Sequence, residues 1–199
     1  MNSENQSSPE AQKLLKNLKR GEAVFSGNSN DRFTFTWKVT DDIYQHVEVT
    51  ETDKPNYYTM GRSLWIGTKK FESPNQIMAT HINAMAYNAE EILESKYYRS
   101  EVLGSGGKAE QVLRKQKEEN PGRIPFIISA SKKYPGKFLL SYVPLFLCYH
   151  EYVTVTPEGF EYRNQLFKKF KSLIRWFKNH ARNPNSVTYD TSDVTCSTA

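Results

Sequence analysis

Lys69-Lys70-Phe71-Glu72-Ser73 returns 99 positions later as Lys168-Lys169-Phe170-Lys171-Ser172, and this echo divides the chain into two halves of one kind. A second echo marks where each half begins: Ala11-Gln12-Lys13-Leu14-Leu15-Lys16 resembles Ala109-Glu110-Gln111-Val112-Leu113-Arg114, 98 positions on, and both runs have helical apolar spacing. Between the marks both halves read as strands, Ala23-Val24-Phe25-Ser26 against Phe126-Ile127-Ile128-Ser129 and Val47-Glu48-Val49-Thr50 against Val153-Thr154-Val155-Thr156. The run from Phe33 to Val39 alternates apolar and polar residues, which predicts a half-buried antiparallel strand, and its counterpart is Lys137 to Tyr142. Ser73-Pro74 pairs an N-cap hydroxyl with a proline suited to the first helical position. The helix it opens carries a stripe of Met78, Ile82, Met85, Ala89 and Ile92 and is expected to run to about Tyr97, before Gly104-Ser105-Gly106-Gly107 breaks the chain. Each half therefore reads helix, strands, helix: an α+β organisation.

The 199 residues are 38% hydrophobic and 13% aromatic, enough apolar mass for packed cores despite a mean hydropathy of −0.69. No run of about 18 apolar residues exists and Met1 to Glu10 is polar, so a membrane span and a secretory signal are excluded. Cys148 and Cys196 form neither a disulfide framework nor a metal motif, and an intracellular chain is expected. The net charge is +5, but it is unevenly spread. From Arg163 to Arg182 seven cations occur without an acid, and on a helix Lys171, Arg175, Lys178 and Arg182 share one face while Phe170, Leu173, Ile174 and Phe177 share another. Such a face solubilises a helix and also attracts a polyanion.

The helix, sheet, helix order with a basic-aromatic-Ser opening to the last helix resembles the Src homology 2 (SH2) domain, here twice. Thr36-Trp37-Lys38-Val39, Tyr44-Gln45-His46-Val47, Tyr97-Tyr98, Pro135-Gly136-Lys137-Phe138-Leu139-Leu140, Glu151-Tyr152-Val153-Thr154-Val155-Thr156-Pro157-Glu158-Gly159-Phe160 and Arg175-Trp176-Phe177-Lys178 are similar to the C-terminal tandem SH2 regions of transcription elongation factors that also act as histone chaperones. The resemblance covers Ala11 to about Arg182. It implies two SH2-like domains, each a central antiparallel sheet flanked by two helices, packed as one rigid tandem unit. The expected organisation is a disordered tail over 1–10, a first domain with an extended last helix over 11–103, a Gly/Ser break over 104–107, a divergent second domain over 108–182 and a disordered tail over 183–199. The resemblance further implies a nuclear, monomeric fragment of a larger protein that binds the phosphorylated largest subunit of RNA polymerase II, in its linker or tail, with no cofactor and no membrane contact.

Phosphate recognition needs a guanidinium for a bidentate pair, with hydroxyls, amides or a histidine for the remaining oxygens. In the family the arginine ends the second strand. The resemblance places that position at Ser26 in the first half and Ser129 in the second, so neither half has it. The loop that follows maps to Gly27-Asn28-Ser29-Asn30, and the strand histidine of the pattern is His46. Arg32 falls by alternation on the face of Thr34, Thr36 and Lys38. The expectation is a relaxed pocket for phosphoserine or phosphothreonine formed by Ser26, Asn28, Ser29, Arg32 and His46; the plain alternative is a solvated strand-edge arginine and a structural histidine. In the second half Tyr152 is expected where the first has His46. There Arg123, Lys132, Lys133, Lys171 and Arg175 are weak candidates for a phosphopeptide laid across the surface, each pair contributing about 1 kcal/mol and the set acting through avidity.

No catalytic motif survives inspection. His150-Glu151-Tyr152-Val153-Thr154 lacks the second histidine of a zinc helix and lies in a strand pattern, and Gly107-Lys108-Ala109 lacks the rest of a phosphate loop. No metal ligand set is expected. The rival reading is a single-stranded nucleic-acid-binding or scaffold module that uses the basic last helix while its phosphate pockets are inactive, with weak nucleic-acid contact through cations and aromatics.

Overall fold

The computed structural model describes residues 8–29, 31–56, 59–103 and 105–182, with the side chains of 8–10 and 27–29 outside that description. The first half runs α1 (Ser8–Leu15), β1 (Ala23–Ser29), β2 (Arg32–Thr40), β3 (Ile43–Thr52), β4 (Ser63–Ile66), β5 (Lys69–Phe71), α2 (Pro74–Ile77), a π-helical turn (Met78–Ile82) and α3 (Asn83–Leu93). The second runs α4 (Gly106–Glu119), β6 (Phe126–Ala130), β7 (Lys137–Tyr142), β8 (Tyr149–Thr156), β9 (Gly159–Tyr162), β10 (Gln165–Phe167) and α5 (Phe170–His180). Both sheets are antiparallel meanders, ordered β1-β2-β3-β4-β5 and β10-β9-β8-β7-β6. The expected tails fall largely outside the described residues; the helix already starts at Ser8.

The repeat read from the sequence is a repeat of packing. Ala11 and Leu15 of α1 are 3% and 0% exposed, and their counterparts Ala109 and Leu113 of α4 are 1% and 0% exposed. Each helix thus presses the same i, i+4 pair onto its sheet. A helix on that side changes the reading of β2. Every residue from Phe33 to Thr40 is buried, Thr34, Thr36 and Lys38 included, so the strand is sandwiched where a half-buried one was expected. Lys38 is tolerated there because its Nζ donates to the carbonyls of Lys16 and Leu18, each at 3.1 Å, and pairs with Asp41 at 3.2 Å.

The helix that closes the first half departs from its expected stripe at one end. Ile77, not Met78, is fully buried, followed by Ile82, Met85, Ala89 and Ile92. The five-residue step from Ile77 to Ile82 is that of the π-helical turn between them. The helix also stops at Leu93 with Glu94 as its C-cap, short of Tyr97. Tyr97 to Arg99 instead run extended beside β6, Tyr98 pairing with Ile128 in a parallel bridge. Ser105 then caps α4, and Gly106 and Gly107 lie inside its first turn, not in the break.

A single cluster of buried side chains runs from Phe33, Trp37 and Leu64 through Ile92 to Phe138, Phe160 and Phe177, so the two halves share one core. Polar contacts cross it as well. Asn88 Nδ2 donates to the carbonyl of Thr156 at 2.8 Å, Lys69 pairs with Glu158 at 3.1 Å, and the free N–H of Phe170 at the start of α5 donates to the Glu91 carboxylate at 3.0 Å. Lys169, at the N-cap of α5, makes no side-chain cap, so Glu91 from α3 does its work across the junction.

Within the second half, Glu151 is buried at the centre of a polar knot. Arg163 grips it through Nε to Oε2 and Nη2 to Oε1, both at 2.8 Å, and the hydroxyls of Tyr142 and Tyr162 donate to it at 2.6 and 2.5 Å. Burial opposes ionisation of Glu151, but these hydrogen bonds outweigh it and hold the carboxyl below its ordinary pKa.

Candidate functional site

The strand registers decide which side chains meet under α1. Ser26 lies opposite Thr34, Thr34 opposite Glu48, and Thr36 opposite His46. Alternation therefore sets Ser26, Arg32, Thr34, Thr36, His46 and Glu48 on the face that α1 covers in part. Three of the five expected pocket residues, Ser26, Arg32 and His46, do share this face. Asn28 and Ser29 end β1, but their side chains lie outside the described residues.

The histidine is positioned from two sides. Thr36 Oγ1 lies 2.8 Å from His46 Nδ1, and Gln12 Nε2 of α1 lies 3.3 Å from His46 Nε2. The amide NH2 of Gln12 can only donate, so Nε2 accepts and the neutral ring carries its proton on Nδ1, from which it donates to the Thr36 hydroxyl. Burial pushes the pKa of His46 down, so the neutral form prevails at pH 7.

Arg32 is already engaged. Its Nη1 lies 3.1 Å from Glu48 Oε1, with side chains 57% and 56% exposed. Arg32 and the partner of His46, Thr36, are four residues apart on β2, about 13 Å of backbone, and Glu48 sits between. The guanidinium and the imidazole are thus the two ends of an open trough, not the walls of one tight pocket. Sequence reasoning missed Glu48, although its position two residues after His46 on the same strand face was a usable signal.

The second half corrects one expectation. Ser129 lies opposite Leu139, so Ser141 occupies the position of Thr36, and the partner of Ser141 in the β7–β8 register is His150. His150, not Tyr152, corresponds to His46; Tyr152 corresponds to Glu48. The contact repeats too, Ser141 Oγ lying 2.8 Å from His150 Nδ1. Matching Val47-Glu48-Val49-Thr50 to Val153-Thr154-Val155-Thr156 implies an offset of 106, but the hairpin between the paired residues Tyr142 and Tyr149 holds six residues where that between Trp37 and Gln45 holds seven, and the true offset is 104. Here the opening helix shuts the site. A Cβ on Gly106 would lie 3.2 Å from His150 Nε2, so glycine lets α4 close down on the ring, and Ser129 is 1% exposed beneath it.

The basic candidates of the second half are scattered. Arg123 precedes β6, and Lys132 and Lys133 sit on the β6–β7 connection, all exposed. Lys171 and Arg175 come together with Lys178 and Lys96 along a groove of about 600 Å³ between α3 and α5. Its floor is Tyr97, Phe170 and Ile174, and its acids are Glu91 and Glu94. Lys178 Nζ bridges it by donating to Tyr97 Oη at 3.1 Å. Lys96 was missed because only the contact between the halves brings it to α5. Among the described residues no group of three or more His, Cys, Asp or Glu could hold a metal ion, and no helix is long and apolar enough to cross a membrane.

The SH2 domain family profile matches residues 2–180. The transcription elongation factor SPT6 of Drosophila melanogaster is 44% identical over 189 residues, which cover 92% of this chain and 10% of that protein. The Suppressor of Ty 6 homolog of Caenorhabditis elegans is 29% identical over 178 residues, covering 87% of this chain and 12% of that protein. The chain thus spans about a tenth of the length of the curated relatives it matches. Among solved structures, a tandem SH2 domain of the transcription elongation factor Spt6, which binds the phosphorylated RNA polymerase II C-terminal repeat domain, superposes with a TM-score of 0.78 at 22% identity, covering 88% of this chain and 93% of that one. That likeness is one of fold.

Proposed function

This chain belongs to the SH2 domain family, and on that premise we propose that it is a non-catalytic tandem SH2 module that reads phosphorylated peptide. It serves a nuclear transcription elongation factor by recruiting it to the phosphorylated largest subunit of RNA polymerase II, in the linker or C-terminal region. Its two domains are taken as 11–103 and 108–182, joined at 104–107.

The observation that carries this reading is the trough of the first half, where His46, held by Thr36 at 2.8 Å, and Arg32 are the exposed ends of one sheet face although the family arginine is replaced by Ser26. A phosphate entering at one end favours the charged ring of His46, which then donates to it from Nε2. At the other, Arg32 exchanges a solvated carboxylate for a dianion that takes a bidentate pair, the stronger partner. Ser26, Asn28 and Ser29 supply the remaining donors in this proposal. The second half contributes through the groove, where Lys171, Arg175, Lys178 and Lys96 stand over an apolar floor. Because the halves share one core, two weak sites on one body engage a doubly phosphorylated segment at high effective concentration.

Fluorescence anisotropy with matched polymerase-linker peptides, doubly, singly and not phosphorylated, tests the reading. Binding that requires phosphate and drops sharply when either phosphate is removed supports it. Binding indifferent to phosphate, with steeply salt-dependent RNA affinity, replaces it with the nucleic-acid reading.

A further inference from the structure

The two sheets end differently on the edge that carries their first strand. In the second half the outer edge of β6 is covered: Ile128 N–H donates to the carbonyl of Tyr97 at 3.0 Å, and its carbonyl accepts from the N–H of Arg99 at 2.9 Å. Tyr97 to Arg99 are in effect an added parallel strand. In the first half the same edge belongs to β1, which is last in its sheet. Among the described residues no main chain outside β2 pairs with Ala23 to Ser26. The registers make Phe25 the counterpart of Ile128, since Phe25 lies opposite Phe35 and Ile128 opposite Leu140. Ile128 is fully buried and Phe25 is 47% exposed. An aromatic on an open strand edge is a surface that proteins ordinarily cover.

We propose that the outer edge of β1 is a docking edge for an extended peptide that carries an aromatic residue with an acid ahead of it, added as a parallel strand beside Ala23 to Ser26. The protein's own covered edge supplies the geometry. Tyr97 lies with its ring centroid 4.6 Å from that of Phe126, filling the position next to Ile128. The counterpart of Phe126 is Ala23, so the first edge has a large ring at Phe25 beside a small residue, and an incoming aromatic fills the space over Ala23. Main-chain bonds then give affinity and the ring gives register, as in strand-addition recognition. Charge sets the other end. Lys19 and Arg20 lie ahead of β1, separated from it by Gly21 and Glu22, where the N-terminal residues of a parallel strand would lie, and Arg20 pairs with Asp41 at 3.9 Å, both side chains more than half exposed. Acids at the start of the peptide complement them. The site is separate from the groove, and it meets the trough only at Ser26, whose main chain belongs to the edge and whose side chain belongs to the trough.

The probe is a synthetic peptide of residues 93–102, Leu-Glu-Ser-Lys-Tyr-Tyr-Arg-Ser-Glu-Val, the segment that covers β6, titrated into the isotope-labelled full chain. The expected result is amide shift changes centred on Ala23 to Ser26 with slowed amide exchange there. Binding should weaken about tenfold when the backbone N of the arginine, the group that bonds the strand edge in the covered half, is methylated, and should also weaken when the peptide's first glutamate is replaced by lysine. Methylating the peptide leaves the protein and its fold untouched. Absence of shifts at millimolar peptide, or shifts confined to other surfaces, overturns the proposal. Concentration-dependent self-association with protection of the same amides in the absence of peptide also overturns it, assigning the edge to a second copy of the chain.

Discussion

Arg32 and Glu48 form an ion pair across β2 and β3, Nη1 to Oε1 at 3.1 Å, on the same sheet face as His46. The arginine best placed to meet a phosphate therefore spends the unliganded state on a neighbouring carboxylate. At more than half exposure the pair adds little to stability, well under 1 kcal/mol, and its consequence is competition. Glu48→Ala should tighten phosphopeptide binding by about threefold to tenfold, while Arg32→Ala should weaken it by a similar factor, both with unchanged urea midpoints. Anisotropy titrations of the two variants check this, and weaker binding by Glu48→Ala would show that the carboxylate positions Arg32 and does not compete for it.

His46 gives the trough a pH dependence of known sign. Its free-state pKa lies below the ordinary histidine value because of burial, and a bound phosphate raises it by favouring the charged ring. Linkage then requires affinity to rise as pH falls from about 8 toward 6.5, before the phosphate itself takes a proton. In His46→Gln that rise should flatten, which calorimetric titration at several pH values would reveal.

Glu151 and Arg163 are a buried pair with side chains 7% and 4% exposed. Arg163→Met strands a buried carboxylate and should cost about 3–5 kcal/mol, read from urea unfolding. The folded-state pKa of Glu151 is depressed, so its contribution is present above the unfolded carboxyl pKa of about 4.3 and is lost as pH falls through the lower folded value. Unfolding midpoints of the parent should therefore fall below pH 4.5, and those of Glu151→Gln should fall less.

Asn88 reaches from α3 to the Thr156 carbonyl of the other half at 2.8 Å. Asn88→Ala removes this hydrogen bond across the junction and should cost about 1 kcal/mol. Because one core spans both halves, the parent should unfold in one cooperative transition and tumble as one body. Two separate calorimetric transitions in the parent would contradict the shared core.

The amino-acid sequence by itself determined the duplicated order of helix and strands and the buried helix pairs Ala11 and Leu15, Ala109 and Leu113. It also set the basic face of α5, and it put Arg32 on the strand face of Thr34, Thr36 and Lys38. These are matters of period and local propensity, written within a few turns of chain. Only the tertiary structure decided the rest. The second hairpin is one residue shorter between equivalent pairs, and the strand register put His150 in the place expected of Tyr152. The covering helix buried Thr34, Thr36 and Lys38 although their alternation reads as a solvated face. The π-helical turn moved the buried position from Met78 to Ile77. Glu48 claimed Arg32, and packing of α5 on α3 assembled a groove from Lys96 and Lys171, residues 75 positions apart. Each of these depends on contacts between residues far apart in the chain, whose geometry is fixed by closing the core and not by any local pattern.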